Sequence, residues 1–468
     1  MTYFYRKAEQ DLEKWLNNPN NKPLLIFGAR QVGKTTLVKN FIKKHNHQLI
    51  DLNFEDFTTQ NTFKNVTNIS EFIDLVQLHK KLTISKNTVI FLDEIQFTPS
   101  VFSLLRFFSE FKTHYKVIAT GSWLNLYIKE LFENSSTQFP VGRVETLTLY
   151  PMTFSEYLKA FNIKLLNYIT DNIKNKTIFK LPVSIHNLLL ESFTKYITIG
   201  GMPGILKIYK EQGSSSAINA QSTLMNSIYQ DIRKYDINNA DKLIQIIQKI
   251  YQNPAQRLSY AKMIPGITFS TIDKLISYLK HAFLIYEVPP TVSTRLPIQK
   301  KEKMFKKYLA LDTGLAINTL KLSGLFLKTN VQNNWNILLD DEIKGLISEQ
   351  YVGQSLYALL GTSTLSYDNI LYYWTQRHSK AEVDFTFQNE DHIVGVEVKS
   401  GKVGRLRSLI TFCNKVKNNS NLVRFYWSTP KTETLKIDNL NDKLCNKRLL
   451  SLPIYLTDFI TEILDNYY

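Results

Sequence analysis

Leu24–Phe27 is an uninterrupted apolar run that ends at a glycine, and Leu37 and Phe41 then recur at helical spacing. That change of period predicts a buried strand feeding a helix. Residues 6–16 ahead of it read as a short amphipathic helix. The alternation continues downstream. Residues 47–56 (HQLIDLNFED) form an expected strand closing on acids, and 87–96 (NTVIFLDEIQ) an apolar strand closing on Asp93 and Glu94. Residues 100–111 read as a helix, 115–122 (YKVIATGS) as another strand, and 140–158 contain a β-like segment. Continuous apolar runs mark strands covered on both faces, as in a parallel sheet. From Asn162 to Lys210 the spacing is helical, with a break at 200–204 (GGMPG), and the polar stretch 210–222 (KEQGSSSAINAQS) reads as a linker.

The pattern changes after 240. Residues 240–253 form one amphipathic helix, and 257–288 read as helix, turn, helix, strand. Ser270 or Thr271 caps the second of these helices, and Ile272, Leu275, Ile276 and Leu279 share one of its faces. This is a winged-helix pattern, with Lys274, Tyr278 and Lys280 as candidates for the outer face of a recognition helix. The basic run Arg295, Lys300, Lys301, Lys303, Lys306 and Lys307, broken only by Glu302, is a candidate wing over a phosphate backbone. Further on, a helix at 342–359 precedes strands at 370–376, 381–387 and 392–400, a helix at 405–416 and a strand at 421–428. That is an α-β-β-β-α-β order.

Hydrophobic residues make up 44% and aromatics 12% of the 468 residues, enough for several cored domains and too much for a disordered chain. The net charge of +16 is spread over both halves of the sequence and suits a nucleic-acid partner, DNA favoured, although solubility alone accounts for much of it. Only two cysteines occur, Cys413 and Cys445. With no CxxC, a disulfide framework or thiolate zinc site is not expected, and a reducing cytoplasm is. No apolar stretch is long enough to span a membrane, so no membrane partner is expected. The HNH string around His45 and His47 lies in a Lys/Asn-rich loop without zinc-like surroundings and reads as chance.

Chemistry enters at the first strand–helix junction. Gly28, Ala29, Arg30, Gln31, Val32, Gly33, Lys34 and Thr35 match GxxxxGK[ST], the phosphate-binding loop, with Thr36 beginning the helical repeat. Glycines let successive N–H groups converge on phosphate oxygens at a helix start. Lys34 then reaches the β- and γ-phosphates, and the Thr35 hydroxyl ligates Mg²⁺. Asp93 is placed to hold that Mg²⁺ through water, and Glu94 to polarise the water attacking the γ-phosphate. Thr120 or Ser122, at the tip of an intervening strand, is a candidate γ-phosphate sensor. Arg143 is a candidate arginine finger, in cis or from a neighbouring subunit of a homo-oligomer. No guanine-reading NKxD string and no LSGGQ signature is present, so ATP is favoured. At the far end, Asp384 on one hairpin strand faces Glu397 and Lys399, which are two apart on the next and so share a face. Two carboxylates holding Mg²⁺ and a lysine beside the attacking water is the set that metal-assisted phosphodiester cleavage requires. Glu349 on the preceding helix can complete it as a third metal ligand.

Together, GARQVGKTT, FLDEIQ, IATGS, GGMPG, LALDTGLA (309–316) and YYWTQ…AEVDF…VEVKSG resemble the AAA-type P-loop ATPases that carry a C-terminal DUF4143 domain. The resemblance spans nearly the whole chain. It implies an α/β protein: a P-loop three-layer α/β/α ATPase core (1–160), a helical lid and linker (161–235), a winged helix (236–330) and a restriction-endonuclease-like PD-(D/E)xK domain (331–468). By the same motifs, Gly28, Lys34, Thr35, Asp93 and Glu94 take the nucleotide roles, and Asp384, Glu397 and Lys399 the nuclease ones. Val383 replaces the proline that often precedes the first acid of the cleavage motif, which adds nothing to the case for cutting. Asp312 within LALDTGLA has no role that sequence supplies. The expectation is an ATP-hydrolysing, nucleic-acid-associated machine using ATP and Mg²⁺. The alternative is a nucleotide-gated switch or adaptor whose C-terminal domain binds DNA or a protein without cleaving.

Overall fold

The computed structural model describes residues 3–110, 115–128, 142–302, 304–324, 341–361, 370–376, 381–400, 406–416, 420–438 and 444–468. These group into two compact units. The first is Met1–Tyr150 with Ser277–Leu284 and Gly361–Leu365; the second comprises Pro151–Ile276, Ile285–Leu360 and Ser366–Tyr468. The helical segment after Tyr150, most of the helix–turn–helix segment and the C-terminal sheet fall in the second unit, while Ser277–Leu284 groups with the first.

In the first unit, β1 (Leu24–Phe27), β2 (Gln48–Asn53), β3 (Thr88–Asp93), β4 (Lys116–Thr120) and β5 (Glu145–Thr148) form a parallel sheet in the order β2-β3-β4-β1-β5. All residues of β1 and β3 are buried, which is why they read as unbroken apolar runs. At the edge, β2 buries only Ile50 and Leu52. After α1 (Glu9–Asn17), helix α2 (Lys34–Lys44) buries Leu37, Val38, Phe41 and Ile42 along one face, and the helix Pro99–Phe108 buries Val101, Phe102, Leu104, Leu105 and Phe108. Because β4 lies between β1 and β3, the carboxyl ends of all three strands open on one edge, where ligands bind in such sheets.

The second unit begins with helices. Thr153 and Glu156 form a capping box at the start of Phe154–Phe161. The stretch expected to be a linker is instead helical: only Gly213 (φ +85°) separates Pro203–Gln212 from the single helix Ser214–Tyr235. Its polar residues misled because some of them are structural. Gln221, fully buried, donates to the carbonyls of Thr198 (2.8 Å) and Ile199 (2.9 Å) and so finishes the helix Val183–Ile199.

Ala240–Gln252, Tyr260–Met263 and Phe269–His281 follow as three helices, and β6 (Ile285–Val288) pairs antiparallel with β8 (Lys307–Ala310). A seven-stranded mixed sheet closes the chain in the order β13-β14-β12-β11-β10-β9-β7. Its members are β7 (Pro290–Thr291), β9 (Tyr372–Thr375), β10 (Glu382–Asn389), β11 (His392–Val398), β12 (Ser420–Tyr426), β13 (Lys431–Asp438) and β14 (Leu444–Pro453). The helix Asp341–Leu360 precedes β9, β10 and β11, and Arg407–Val416 precedes β12, the order that the apolar pattern indicates. Leu409, Phe412, Cys413 and Val416 of the second helix pack on Trp374, Val383, Ile393, Leu422 and Leu449.

Asp312 acquires a structural account here. It caps the helix Thr313–Thr319 by accepting from Gly314 (3.0 Å) and Leu315 (3.2 Å). It also accepts from the Gly201 N–H (2.7 Å) and from Gln354 (3.4 Å). A Cβ on Gly200, whose φ is +83°, would collide with this carboxylate, so GGMPG and LALDTGLA are two halves of one packed joint.

Candidate nucleotide site and a carboxylate–lysine cluster

The phosphate loop follows β1 at the carboxyl edge of the first sheet. Gly28 takes φ +141°, and a Cβ there would run into the Leu149 carbonyl. Gly33 takes φ +95° and precedes α2 without any side-chain cap, leaving the first N–H groups of α2 to a ligand. Arg30 is half-buried, Ala29 and Val32 are buried, and Gln31 and Thr36 are exposed. Arg6, itself buried, donates to the carbonyls of Val32 (2.8 Å) and Tyr150 (2.6 Å) and so pins the loop to the end of the sheet. Sequence reasoning placed Arg6 in a leading helix and missed this; nothing local marks it.

Lys34, 5% exposed, donates to the carbonyls of Gly28 (2.8 Å) and Ala29 (3.0 Å). Burial lowers its ammonium to about 8 against the opposing pull of Glu94 and Asp93. Thr35 Oγ1 donates to Asp93 Oδ2 (2.8 Å), and the Thr120 hydroxyl donates to Asp93 Oδ1. Burial nevertheless raises the Asp93 carboxyl above its ordinary value. Glu94 takes the left-handed conformation (φ +53°), a strained choice for a non-glycine residue. It accepts from Ser122 N–H (3.0 Å), Ser122 Oγ (2.8 Å) and Gln96 Nε2 (2.6 Å). Burial alone would raise Glu94, but Lys34 and these three hydrogen bonds outweigh it, and the carboxyl is held below its ordinary value. Thr120 and Ser122 therefore each grip one acid. Gln96, two positions past Glu94 in the same motif, is the orienting residue that sequence reasoning left out.

The donor set fits a Mg²⁺-bound triphosphate: the Thr35 hydroxyl and Lys34 at the start of α2, the Asp93 carboxylate at the end of β3, and a helix start with no side-chain cap. Arg143 is not brought to it. The residue precedes Glu145, which pairs with Leu24 at the amino edge of the parallel sheet, and its guanidinium pairs with Glu110. The length of β1 lies between that edge and the loop. The residues of the HNH string make local hydrogen bonds to the Phe41 carbonyl (His45, 2.9 Å) and the Asn87 carbonyl (His47, 3.2 Å).

The second cluster lies within the second unit. A register shift between Val383 and Thr386 bends β10 beside Asp384. Asp384 Oδ2 accepts from Val398 N–H (2.8 Å), and the Lys399 ammonium pairs with Glu397 Oε1. Glu349 is present, as expected, on the helix Asp341–Leu360. The unexpected member is Lys307. Its ammonium lies 2.8 Å from Glu382, 3.2 Å from Glu349 and 3.7 Å from Asp384. Burial raises both Glu349 and Glu397, each further by the Asp384 charge, with Lys307 and Lys399 pulling down. Among the described residues no three His, Cys, Asp or Glu side chains are grouped so as to hold a metal ion. Two of the three expected metal ligands, Glu349 and Asp384, therefore face Lys307, and the third, Glu397, faces Lys399.

Lys307 is also a correction to the proposed wing, being 3% exposed and pointing into the unit. Lys306 is tied to Glu287 (3.1 Å) and Lys300 to Glu302 (2.8 Å), while Lys303 lies outside the described residues. On Phe269–His281, Lys274 is exposed, Lys280 half-buried, and the Tyr278 ring lies 5.9 Å from that of Trp123. Arg295 is exposed and Lys301 half-buried. No described helix is long and apolar enough to cross a membrane.

Three family models match the chain: an AAA domain over residues 20–158, a domain of unknown function (DUF8612) over 190–325 and another (DUF4143) over 344–455. The chain therefore carries an AAA domain and a C-terminal DUF4143 domain. It is 23% identical over 377 residues to an uncharacterized protein of Methanocaldococcus jannaschii, covering 75% of this chain and 71% of that one. It is 24% identical over 334 residues to one of Haemophilus influenzae, covering 66% and 72%. Among solved structures it is similar to a Walker-type ATPase of Pyrococcus abyssi (TM-score 0.42, 16% identity, 68% of this chain and 96% of that one). It is also similar to the Aeropyrum pernix ORC1 protein in complex with DNA (TM-score 0.28, 12% identity, 70% and 94%). A third likeness is to AMPPCP-bound DnaA from Aquifex aeolicus (TM-score 0.22, 17% identity, 59% and 89%).

Proposed function

We propose that this chain, built on an AAA domain and ending in DUF4143, binds and hydrolyses ATP with Mg²⁺ and acts in association with nucleic acid. One observation carries the hydrolytic part. Asp93 and Glu94, adjacent in sequence, are held by different partners, Asp93 by Thr35 and Thr120 and Glu94 by Ser122 and Gln96. Mg²⁺, held by Thr35 and Asp93, would supply charge neutralisation to the triphosphate. Lys34 would exchange its two loop carbonyls for phosphate oxygens. Glu94, kept ionised, orients the attacking water. Glu94→Gln is expected to keep ATP affinity while turnover falls on the order of 10²–10⁴-fold. Equal hydrolysis by the variant would remove Glu94 from this role.

For nucleic acid the support is the net charge of +16 and a winged-helix-like order of three helices and a two-stranded ribbon, with Lys274 exposed on the third helix. For the C-terminal sheet the specific observation is Lys307 among the carboxylates. It favours a nucleotide-gated switch or adaptor whose DUF4143 domain recognises its partner without cutting it. Incubation of single- and double-stranded DNA with the full chain and Mg²⁺ or Mn²⁺ tests this. Cleavage abolished by Lys399→Ala would restore the nuclease reading.

A further inference from the structure

Four carboxylates, Glu349, Glu382, Asp384 and Glu397, meet at the junction of β8, β10, β11 and the helix Asp341–Leu360. Three cations answer them: Lys307, Lys399 and Arg257. The Arg257 guanidinium pairs with Glu382 and lies 5.0 Å over the Tyr373 ring. The Lys307 ammonium is caged, with Glu382, Glu349 and Asp384 within 4 Å and the rings of Tyr373 and Phe385 at 5.4 and 5.8 Å. Arg257 precedes the helix Tyr260–Met263 and Lys307 begins β8, so they flank the helix–turn–helix segment, and an isolated bridge joins their backbones. Every acid they reach belongs to the helix Asp341–Leu360 or to β10.

We propose that Lys307 is the resident cation of this cluster, and that the cluster is a metal-free electrostatic latch fastening the helix–turn–helix segment to the C-terminal sheet. A divalent ion placed among Glu349, Asp384 and Glu397 would lie within a few ångströms of a desolvated ammonium, where like charges repel strongly at the reduced effective dielectric. Mg²⁺ also demands near-octahedral oxygen ligands at about 2.0–2.1 Å. Here Asp384 Oδ2 is engaged by Val398 N–H and Glu397 Oε1 by Lys399. Glu397 Oε2 is buried without a hydrogen-bond partner, between the Lys399 pair on its own carboxylate and the Asp384 charge. The latch is a set of buried ion pairs, so each side needs the other. Removing one partner strands uncompensated charge on the other, which makes the joint strongly specific in register.

The inference deepens the reading of DUF4143 as a non-cleaving module but is tested separately, by metal uptake and not by cleavage. Mn²⁺ is titrated into the full-length chain without nucleotide, and the free ion is read by electron paramagnetic resonance. Wild type and Asp384→Asn are expected to take up the same amount, since any Mn²⁺ at the phosphate loop is common to both. Lys307→Ala, or the similarly shaped but uncharged Lys307→Met, is expected to gain one site at least tenfold tighter, lost again when Asp384→Asn is added. Saturable uptake by wild type that Asp384→Asn abolishes would overturn the latch, whether or not DNA is cut. So would a folded Lys307 variant, verified by circular dichroism, that gains nothing. The wild-type comparison stands even if neither Lys307 variant folds.

Discussion

Two sites in this chain combine a lysine with neighbouring acids, and they do opposite things with it. At the phosphate loop, the ammonium of Lys34 rests on two neutral carbonyls, and each acid is gripped by hydroxyl or amide donors. Those carbonyl contacts are exchangeable for the stronger charge-assisted bonds to phosphate. In the second unit, Lys307 and Lys399 are paired directly with carboxylates. There the contacts are charge to charge, the arrangement that the proposed latch uses. The lesson is that a lysine and two acids do not define a reaction; the partner each charge already has decides whether the set is a binding site or a fastening.

Removal of each lysine should break the comparison most sharply. Lys34→Ala is expected to weaken ATP binding on the order of 10²-fold or more, the cost of losing a charge aimed at the phosphates. Lys399→Ala should leave ATP affinity within about twofold if the two sites act independently, since independent sites behave nearly additively. Equilibrium binding of a fluorescent ATP analogue measures both, and equal losses would mean that the two sites are not independent.

A second distinction concerns buried acids that belong to neither site. Burial raises Asp312 from 3.8 to about 6, despite its four hydrogen bonds. A carboxyl with a raised folded pKa binds its proton more tightly in the native state than in the unfolded chain. Its contribution is therefore most favourable below about pH 4 and is lost as the pH rises through about 6. The change is about 3 kcal/mol. The stability difference between wild type and Asp312→Asn should shrink by that amount between pH 4 and 7, read by urea unfolding. A flat difference would show that the hydrogen bonds keep Asp312 ionised throughout.

The smallest effect belongs to the solvent-facing charge. Lys274→Ala should weaken DNA binding only a few-fold and lower the slope of log affinity against log salt by about 0.9. No change in slope would take the helix Phe269–His281 out of the nucleic-acid interface.

Much of the first unit was legible because its signals are local. A backbone that must wrap a phosphate needs glycine at 28 and 33, and strands covered on both faces must be apolar throughout, so residues 24–35 and 88–94 carry their structure in their own composition. The α-β-β-β-α-β order of the C-terminal sheet was legible for the same reason, through period and turn. What sequence could not show was who partners whom across long separations. Arg6 and Val32, Gln221 and Thr198, Asp312 and Gly201, and Lys307 and Glu382 are brought together only by folding. Residues 210–222 looked like a linker because polarity alone does not reveal that Gln221 is buried against helix-end carbonyls. Lys307 looked like a surface charge for the same reason. Local chemistry is written in adjacent residues, whereas the state of a charge depends on the burial and counter-charges that only tertiary packing supplies.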